Sequence, residues 1–317
     1  DLYKNYSPYP TVLPGFWLPT FQLFNEKPTY GIFTAGRDVL GYHTYYINAG
    51  YGEGANLEML YYYDRHRPTL MLRGYRRPMD TESGVEASVT YPVKRLERSM
   101  QFTAGYHLKR LEGPERRDNI FGKIHYSNAL GYPYSISSEK GRTLSLTVKD
   151  YSKSRWSYVD RTEYIGKYEE FIGLGEHMVF YLDLKGGYAR NGGFQLGGVP
   201  GDGGDFPLRG YPIGSSGGKY ITSASFEWRF PLEYVYKGVG TKPIFWERLH
   251  GSVFADTGAA WYEDPQVEII KTGIGSEAVF DMVLGYKLRL APTFGVARGI
   301  SKGGETRVYL LVVVKGI

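Results

Sequence analysis

The chain has 317 residues, of which 42% are hydrophobic and 16% aromatic, and its formal charge is +5 at pH 7. It contains no cysteine, which excludes disulfides and thiolate metal sites. The basic residues are scattered rather than clustered, which argues against a nucleic-acid partner. No apolar run approaches the ~18 residues of a transmembrane helix.

Alternation of apolar and polar residues predicts strands along almost the whole chain. In 220–230, for example, one face is apolar and aromatic, while the other is mostly polar and carries Glu227 and Arg229. Successive residues of a strand point to opposite faces, so such segments have one apolar and one polar side. No segment has the spacing of an amphipathic helix, and residues 1–12 are expected to form a lead-in. The predicted strands are 13–24, 29–37, 41–51, 55–64, 68–76, 85–94, 99–109, 118–127, 142–151, 160–171, 176–188, 219–231, 248–261, 273–284, 288–299 and 305–316.

Polar turns containing Gly or Pro separate most of these strands, but one connection is much longer. Residues 190–218 contain eleven glycines and have no strand pattern of their own. Loops of this length are usually functional or disordered. We therefore expect 190–218 to carry part of the function.

Sixteen alternating strands fit two architectures. In a soluble sandwich or propeller the apolar face points inward, whereas in a transmembrane barrel it faces lipid and the lumen is polar. Charged residues such as Asp183 and Lys185 recur on the polar faces and tyrosines are abundant near strand ends, which favours the barrel. We predict an all-β fold over 1–317: a single 16-stranded antiparallel transmembrane β-barrel in the bacterial outer membrane, with 190–218 as a long Gly-rich loop.

Three motifs in the C-terminal part of the chain resemble a known family. Residues 208–212 read LRGYP, residues 226–232 read FEWRFPL, and residues 253–261 read VFADTGAAW. Their order and spacing are similar to those of the BamA/TamA-type superfamily of outer-membrane insertases and translocators, also called bacterial surface antigens. The resemblance implies a sixteen-stranded barrel over the whole chain, and a role in inserting proteins into the outer membrane or translocating them across it.

The resemblance also implies that the long loop folds back into the barrel. Arg209 would then meet Asp256 and Glu227, which alternation places on the lumen faces of their strands. A guanidinium matches a carboxylate bidentately, and Gly210 permits a close backbone approach. The alternative is that Arg209 is one solvated loop arginine among many. The residues expected to form the site are Leu208, Arg209, Gly210 and Tyr211 in the loop, and Glu227, Phe254, Asp256 and Gly258 on the strands.

In this superfamily the first and last strands meet in a weak seam, where a client strand can add to the exposed edge. Here the seam would join 13–24 to 305–316. Pro14 and Pro19 cannot donate hydrogen bonds to a ladder, which favours a loose seam. The alternative is that 13–24 is an irregular lead-in and the barrel closes elsewhere.

Two features depart from the superfamily pattern. The chain contains no POTRA domain, and it ends in VVVKGI rather than in an aromatic residue. The segment 6–19 resembles barrels fused behind a Tol-type β-propeller, so we expect a missing N-terminal periplasmic domain.

A structural anchor or scaffold of a larger complex and a passive pore are the alternative functions. The expected partners are outer-membrane lipid or lipopolysaccharide, and client or partner outer-membrane proteins.

Motifs for enzyme chemistry are weak. Residues 214–218 formally match the Gly-x-Ser-x-Gly nucleophile motif, but a flexible loop precedes them and a strand follows, whereas a nucleophile elbow needs a strand and then a helix. The glycine-rich stretch 201–204 lacks the Gly-Lys-Ser/Thr of a phosphate loop, and the six histidines form no cluster. We expect no enzyme activity, no metal and no cofactor.

Overall fold

The computed structural model describes residues 6–24, 27–52, 54–77, 82–110, 116–153, 157, 159–200, 205–264, 270–285 and 288–314. The stretch 201–204 and the last three residues, discussed above, lie outside these ranges. One short helix, α1 (Tyr9–Val12), precedes the strands. Within the described ranges, no helix has the length and apolarity needed to cross a membrane.

Apart from α1, the regular secondary structure of the described residues consists of strands, and sixteen of these strands form one antiparallel sheet. Its order is β1 to β11 followed by β14 to β18, and β12 pairs with β13 in a small separate sheet. The strands are β1 (Leu18–Phe24), β2 (Lys27–Arg37), β3 (His43–Tyr51), β4 (Ala55–Tyr63), β5 (Thr69–Arg77), β6 (Glu82–Lys94), β7 (Ser99–Arg110), β8 (Arg116–Ser127), β9 (Lys140–Tyr151), β10 (Arg161–Gly175), β11 (Met178–Arg190), β12 (Phe194–Leu196), β13 (Ser216–Gly218), β14 (Tyr220–Gly238), β15 (Ile244–Trp261), β16 (Lys271–Leu284), β17 (Leu288–Gly299) and β18 (Thr306–Val314).

The predicted all-β class, the sixteen strands and their order are confirmed. The closure of the sheet is not seen: the pairing order starts at β1 and ends at β18, and the described residues of these two strands form no ladder. The first strand also begins at Leu18 rather than at residue 13, because α1 occupies 9–12. Pro10 is compatible with the first turn of this helix, where no N–H is needed, and Pro14 follows its C-cap.

The chain divides into two compact units, which are described separately. The first comprises 1–94, 99–125 and 147–162. In its strand β4, exposed Leu57 and Met59 alternate with the less exposed Asn56 and Glu58. An exposed apolar face that alternates with a shielded polar face is typical of a strand that faces lipid. That one domain extends over 1–317 stays a prediction.

The second unit comprises 95–98, 126–146 and 163–317 and shows the same alternation more strongly. In β14, Phe226 and Trp228 are 41% and 44% exposed, whereas Glu227 between them is 8% exposed. In β15, Val253 is exposed while Asp256 is buried. We call the face that carries Glu227 and Asp256 the inner face, and the apolar face the outer face. The soluble alternative, with the apolar side buried, does not fit this pattern.

Strands β14 and β15 are longer than predicted, since they continue past 231 and begin before 248. Their ladder is shifted between Pro231 and Glu233, and again between Tyr234 and Lys237. Such bulges absorb an extra residue, and they also accommodate a proline that has no N–H to donate. The prediction ended the strand at Pro231 because it did not allow for these bulges.

The expectation that 190–218 has no strand of its own is wrong, since β12 and β13 pair within it. Three-residue strands are too short to show alternation. The loop packs on the inner face of the second unit through an apolar core, so it is an ordered layer. The buried residues of this core are Ala189, Phe194, Leu196, Phe206, Leu208, Tyr211, Ile221 and Ala260.

A second connection, 128–139 between β8 and β9, also lies on the inner face. Arg248 donates through Nη1 to the carbonyl of Ser135 at 2.5 Å, and the Tyr234 hydroxyl donates to the carbonyl of Tyr134 at 3.0 Å. In the sheet, β10, β11 and β14 separate β9 from β15, so the segment reaches across the inner face. It lies at the end of the strands opposite to the loop 191–219.

Candidate functional site

The motif at 208–211 forms a tight turn at the tip of the long loop. The Tyr211 N–H donates to the carbonyl of Leu208 at 3.3 Å, and Gly210 has φ of +89°, a conformation that favours glycine. Gly198 holds both sides of the turn: its N–H donates to Tyr211 at 2.9 Å and its carbonyl accepts from Leu208 at 3.1 Å. The turn therefore presents Arg209 from a fixed backbone.

Arg209 binds Asp256 bidentately. Its Nε donates to Oδ2 of Asp256 at 2.7 Å, and its Nη2 donates to Oδ1 at 2.7 Å. The backbone N–H of Arg209 donates to the same carboxylate at 3.3 Å. The planar fork of the guanidinium matches the two carboxylate oxygens, an arrangement that lysine cannot reproduce.

The terminal nitrogens of Arg209 also have acceptors on the inner face. Nη2 has two hydrogens but three acceptors, Oδ1 of Asp256 at 2.7 Å and Oε1 of Glu227 and Oγ of Ser225 at 2.8 Å, so one hydrogen is shared. Nη1 donates to Oε1 of Glu277 at 3.0 Å. The guanidinium carbon lies 3.4 Å from the centre of the Phe254 ring, which adds a cation–π contact. With 4% of its side chain exposed, Arg209 is bound on all sides.

The charges of this cluster nearly balance. Three carboxylates, those of Glu227, Asp256 and Glu277, meet Arg209 and a second guanidinium, that of Arg229, which lies 2.7 Å from Glu227. Burial alone lowers the pKa of Arg209, but the hydrogen bonds and negative charges of Asp256 and its neighbours raise this pKa above its ordinary value. Removing Arg209 would leave several buried negative charges without their main partner.

Glycines let the loop backbone approach the last strands. A Cβ on Gly210 would lie 2.4 Å from the backbone nitrogen of Gly299, and a Cβ on Gly273 would lie 2.1 Å from the carbonyl oxygen of Arg209. The Tyr211 hydroxyl donates to the carbonyl of Thr272 and accepts from the N–H of Ser301, both at 2.9 Å. The turn is thus joined to β16 and to the hairpin of β17 and β18.

The structure brings Arg209 to both carboxylates that the sequence paired with it, and it places Phe254 against the guanidinium. Gly258 has a different surrounding: a Cβ there would lie 3.0 Å from the side chain of Leu196, so this glycine makes room for the loop core. The functional role of these residues stays a prediction.

Sequence reasoning missed three residues of the cluster, Glu277, Tyr309 and Ser225. Glu277 also accepts a hydrogen bond from the Tyr309 hydroxyl at 2.6 Å, and Ser225 donates to Asp256 at 2.7 Å. Alternation within 273–284 puts Glu277 on the inner face, so the same parity argument that identified Asp256 could have found it.

A polar cavity of about 370 Å³ adjoins the Arg209 cluster. Lys167, Asp183 and Lys185 line it from β10 and β11, and Pro207 lines it from the loop. Among the described residues, no group of three or more His, Asp or Glu side chains is arranged to hold a metal ion. The interactions that the structure shows around Arg209 are ion pairs and hydrogen bonds between the loop and the sheet.

Comparisons with family models and with curated proteins give no match. Among solved structures, the chain is similar to CdiB from Escherichia coli, with a TM-score of 0.53 and 10% identity over 91% of this chain and 53% of that chain. The chain thus spans about half the length of CdiB. A bacterial polysaccharide outer membrane secretin matches with a TM-score of 0.48 and 12% identity, over 90% of this chain and 88% of that one. OccK11 of Pseudomonas aeruginosa matches with a TM-score of 0.44 and 14% identity, over 94% and 93%.

The likeness to CdiB shows the fold. The chain has the fold of bacterial outer-membrane β-barrel proteins, and we place it in the bacterial outer membrane. This agrees with the apolar outer face and polar inner face of its strands. The finer resemblance to BamA/TamA-type barrels and to barrels fused behind a β-propeller stays a prediction.

Proposed function

We propose that the chain is the barrel module of an outer-membrane protein of the insertase/translocator superfamily. In this role it assists the insertion of proteins into the outer membrane, or their translocation across it. The observation that carries the proposal is the attachment of Arg209 to Asp256, Glu227 and Glu277, which docks the long loop on the inner face.

The loop also positions the last hairpin. The Glu305 N–H donates to the carbonyl of Gly210 at 2.9 Å, and Nη1 of Arg307 donates to the carbonyl of Tyr211 at 3.0 Å. β18 is the last strand in the pairing order, and a client strand adds to a sheet by hydrogen bonding to such an edge. The docked turn would thus hold β18 in a position that receives a client. The seam with 13–24 stays a prediction.

The test is the insertion of a small outer-membrane barrel into vesicles. A urea-denatured eight-stranded barrel is diluted into phosphatidylcholine vesicles that contain the wild-type chain, its Arg209→Lys variant, or no protein. We expect faster folding with the wild-type chain than with empty vesicles, and a loss of most of this gain with Arg209→Lys. Arg190→Lys, an exposed arginine near the start of the loop, is the matched control and should keep the gain.

Two results would contradict the proposal. Equal folding rates with wild-type and empty vesicles would leave the chain as a structural anchor or scaffold of a larger complex. Equal rates with wild type and Arg209→Lys would separate the activity from the Arg209 attachment.

A passive pore is the second candidate function, and the polar cavity beside Arg209 favours it. Planar bilayers distinguish the two. A docked loop predicts small, fluctuating conductance from the wild-type chain, whereas a pore predicts large and steady conductance.

A further inference from the structure

A row of aromatic side chains crosses four neighbouring strands on the outer face of the second unit. We call Tyr164, Tyr188, Tyr220 and Trp261 the aromatic row. Consecutive ring centres are 6.0, 5.1 and 5.8 Å apart, with interplanar angles of 23°, 30° and 18°. Tyr188 pairs with Tyr220 and Tyr220 with Trp261 in the ladders, so the backbone register itself stacks the rings. The row is therefore ordered before any ligand arrives.

Two cations border the row without an acidic partner. Nζ of Lys219 lies 5.3 Å from the centre of the Tyr188 ring and 5.6 Å from that of Tyr220. Arg190 is exposed and lies two residues beyond Tyr188 on the same strand face. In the part of the chain that the structure describes, neither Lys219 nor Arg190 forms an ion pair. Each has its positive charge available for a ligand.

The polar ends of the row are also available. Because the rings stack on one another, their faces are turned toward the neighbouring rings of the row. Over the described ranges, the hydroxyls of Tyr164, Tyr188 and Tyr220 make no hydrogen bond to protein. A line of phenol groups beside two cations can bind a phosphate together with the hydroxyls of a sugar. Acidic residues stand in the sequence at both ends of the row, where Asp160 and Glu163 precede Tyr164 and Glu263 and Asp264 follow Trp261. Lys219 lies between these ends, beside Tyr188 and Tyr220.

The row lies at the end of the strands from which the long loop emerges. In the second unit, the connections 191–219, 262–270 and 300–305 lie at this end, whereas 176–177, 239–243 and 285–287 lie at the other. Among the second unit's connections at the end where 176–177 lies, 128–139 is the longest by the strand bounds. Outer-membrane barrels have short periplasmic turns and longer extracellular loops, so the row lies at the level of the outer leaflet.

We propose that the aromatic row with Lys219 and Arg190 is a binding site for a phosphorylated glycolipid of the outer leaflet, as in the lipid A part of lipopolysaccharide. The phosphate lies near Lys219 and Arg190, and the sugar hydroxyls lie along the tyrosines. Tyrosine side chains suit the boundary between acyl chains and headgroups because each combines an apolar ring with a polar hydroxyl. This inference does not depend on the proposed role in protein insertion.

The test measures lipid retention by native mass spectrometry. The protein is released from phosphatidylcholine nanodiscs that contain equal amounts of diphosphoryl lipid A and phosphatidylglycerol. We expect the wild-type chain to retain lipid A in preference to phosphatidylglycerol. Lys219→Gln should lower the retained lipid A about fivefold, the effect of one cation at an anionic surface. Lys302→Gln removes the same charge from an exposed site at the same end of the strands and should leave retention unchanged.

Tyr188→Leu keeps an apolar side chain at the centre of the row but removes its hydroxyl, and it should also lower lipid A retention. Heat-modifiable electrophoretic migration checks that each variant folds, and Lys219→Gln decides the question if Tyr188→Leu does not fold. Equal losses with Lys219→Gln and Lys302→Gln would reduce the effect to general charge attraction and overturn the proposal. No preference of the wild-type chain for lipid A over phosphatidylglycerol would also overturn it, leaving an ordinary aromatic girdle.

Discussion

Replacing Arg209 by lysine keeps the positive charge but removes the planar fork. The arginine side chain makes five hydrogen-bond contacts with four hydrogens, two to Asp256 and one each to Glu227, Glu277 and Ser225. An ammonium group has three hydrogens and lacks the bidentate fork, so we expect about two of these contacts to be lost. A hydrogen bond to a charged group contributes about 1.5–3 kcal/mol, so the loop should dock about 3 kcal/mol less strongly.

Chymotrypsin can measure this loss directly. Phe194, a preferred site that is followed by Gln195, lies in the loop and is buried when the loop is docked. When opening and closing are fast, cleavage follows the population of the open form. A loss of about 3 kcal/mol should therefore speed cleavage at Phe194 about 100-fold.

Arg190→Lys is the control. It is the same type of substitution, made at an exposed arginine at the start of the loop. Its cleavage rate at Phe194 should equal that of the wild-type chain. If Arg209→Lys also cleaves at the wild-type rate, the five bonds do not hold the loop, and the reasoning on the Arg209 cluster is wrong.

Four further substitutions probe the same attachment by chymotrypsin cleavage. Gly210→Ala should speed cleavage, because alanine is strained at a φ of +89° and its Cβ would meet the nitrogen of Gly299; wild-type rates would show that the turn can relax. Tyr211→Phe, which removes the bonds to Thr272 and Ser301, should speed cleavage at Phe194 about tenfold, from a loss of ~1–2 kcal/mol; an unchanged rate would show that water replaces the hydroxyl. Asp256→Asn should have a larger effect than Glu277→Gln, because Asp256 receives three bonds from Arg209 and Glu277 one; the reverse order would contradict the bidentate assignment.

Alternation was sufficient to predict the strands because a sheet with lipid on one side needs a strictly apolar outer face. The same parity identified Asp256 and Glu227 as residues of the inner face. Their meeting with Arg209 could not be derived from periodicity, because a loop with no repeat of its own can reach many places on that face. It came from the resemblance of the motifs to a known family.

Other parts of the structure leave little trace in the sequence. The core between Phe194, Phe206 and the sheet depends on which side chains of an irregular segment meet, and the four residues of α1 are too few to show helical spacing. The extension of β14 past Pro231 depends on bulges, which shift the period that the prediction relied on. Long-range packing, rather than local preference, decides all three.

The connection 128–139, held by Tyr234 and Arg248, and the loop 191–219 lie at opposite ends of the strands of the second unit. In a closed barrel they would form two barriers in series along the same inner face. When two barriers open independently, the fraction of time for which both are open is the product of two small fractions. We therefore expect the leakage of small solutes to stay low when the loop 191–219 alone moves.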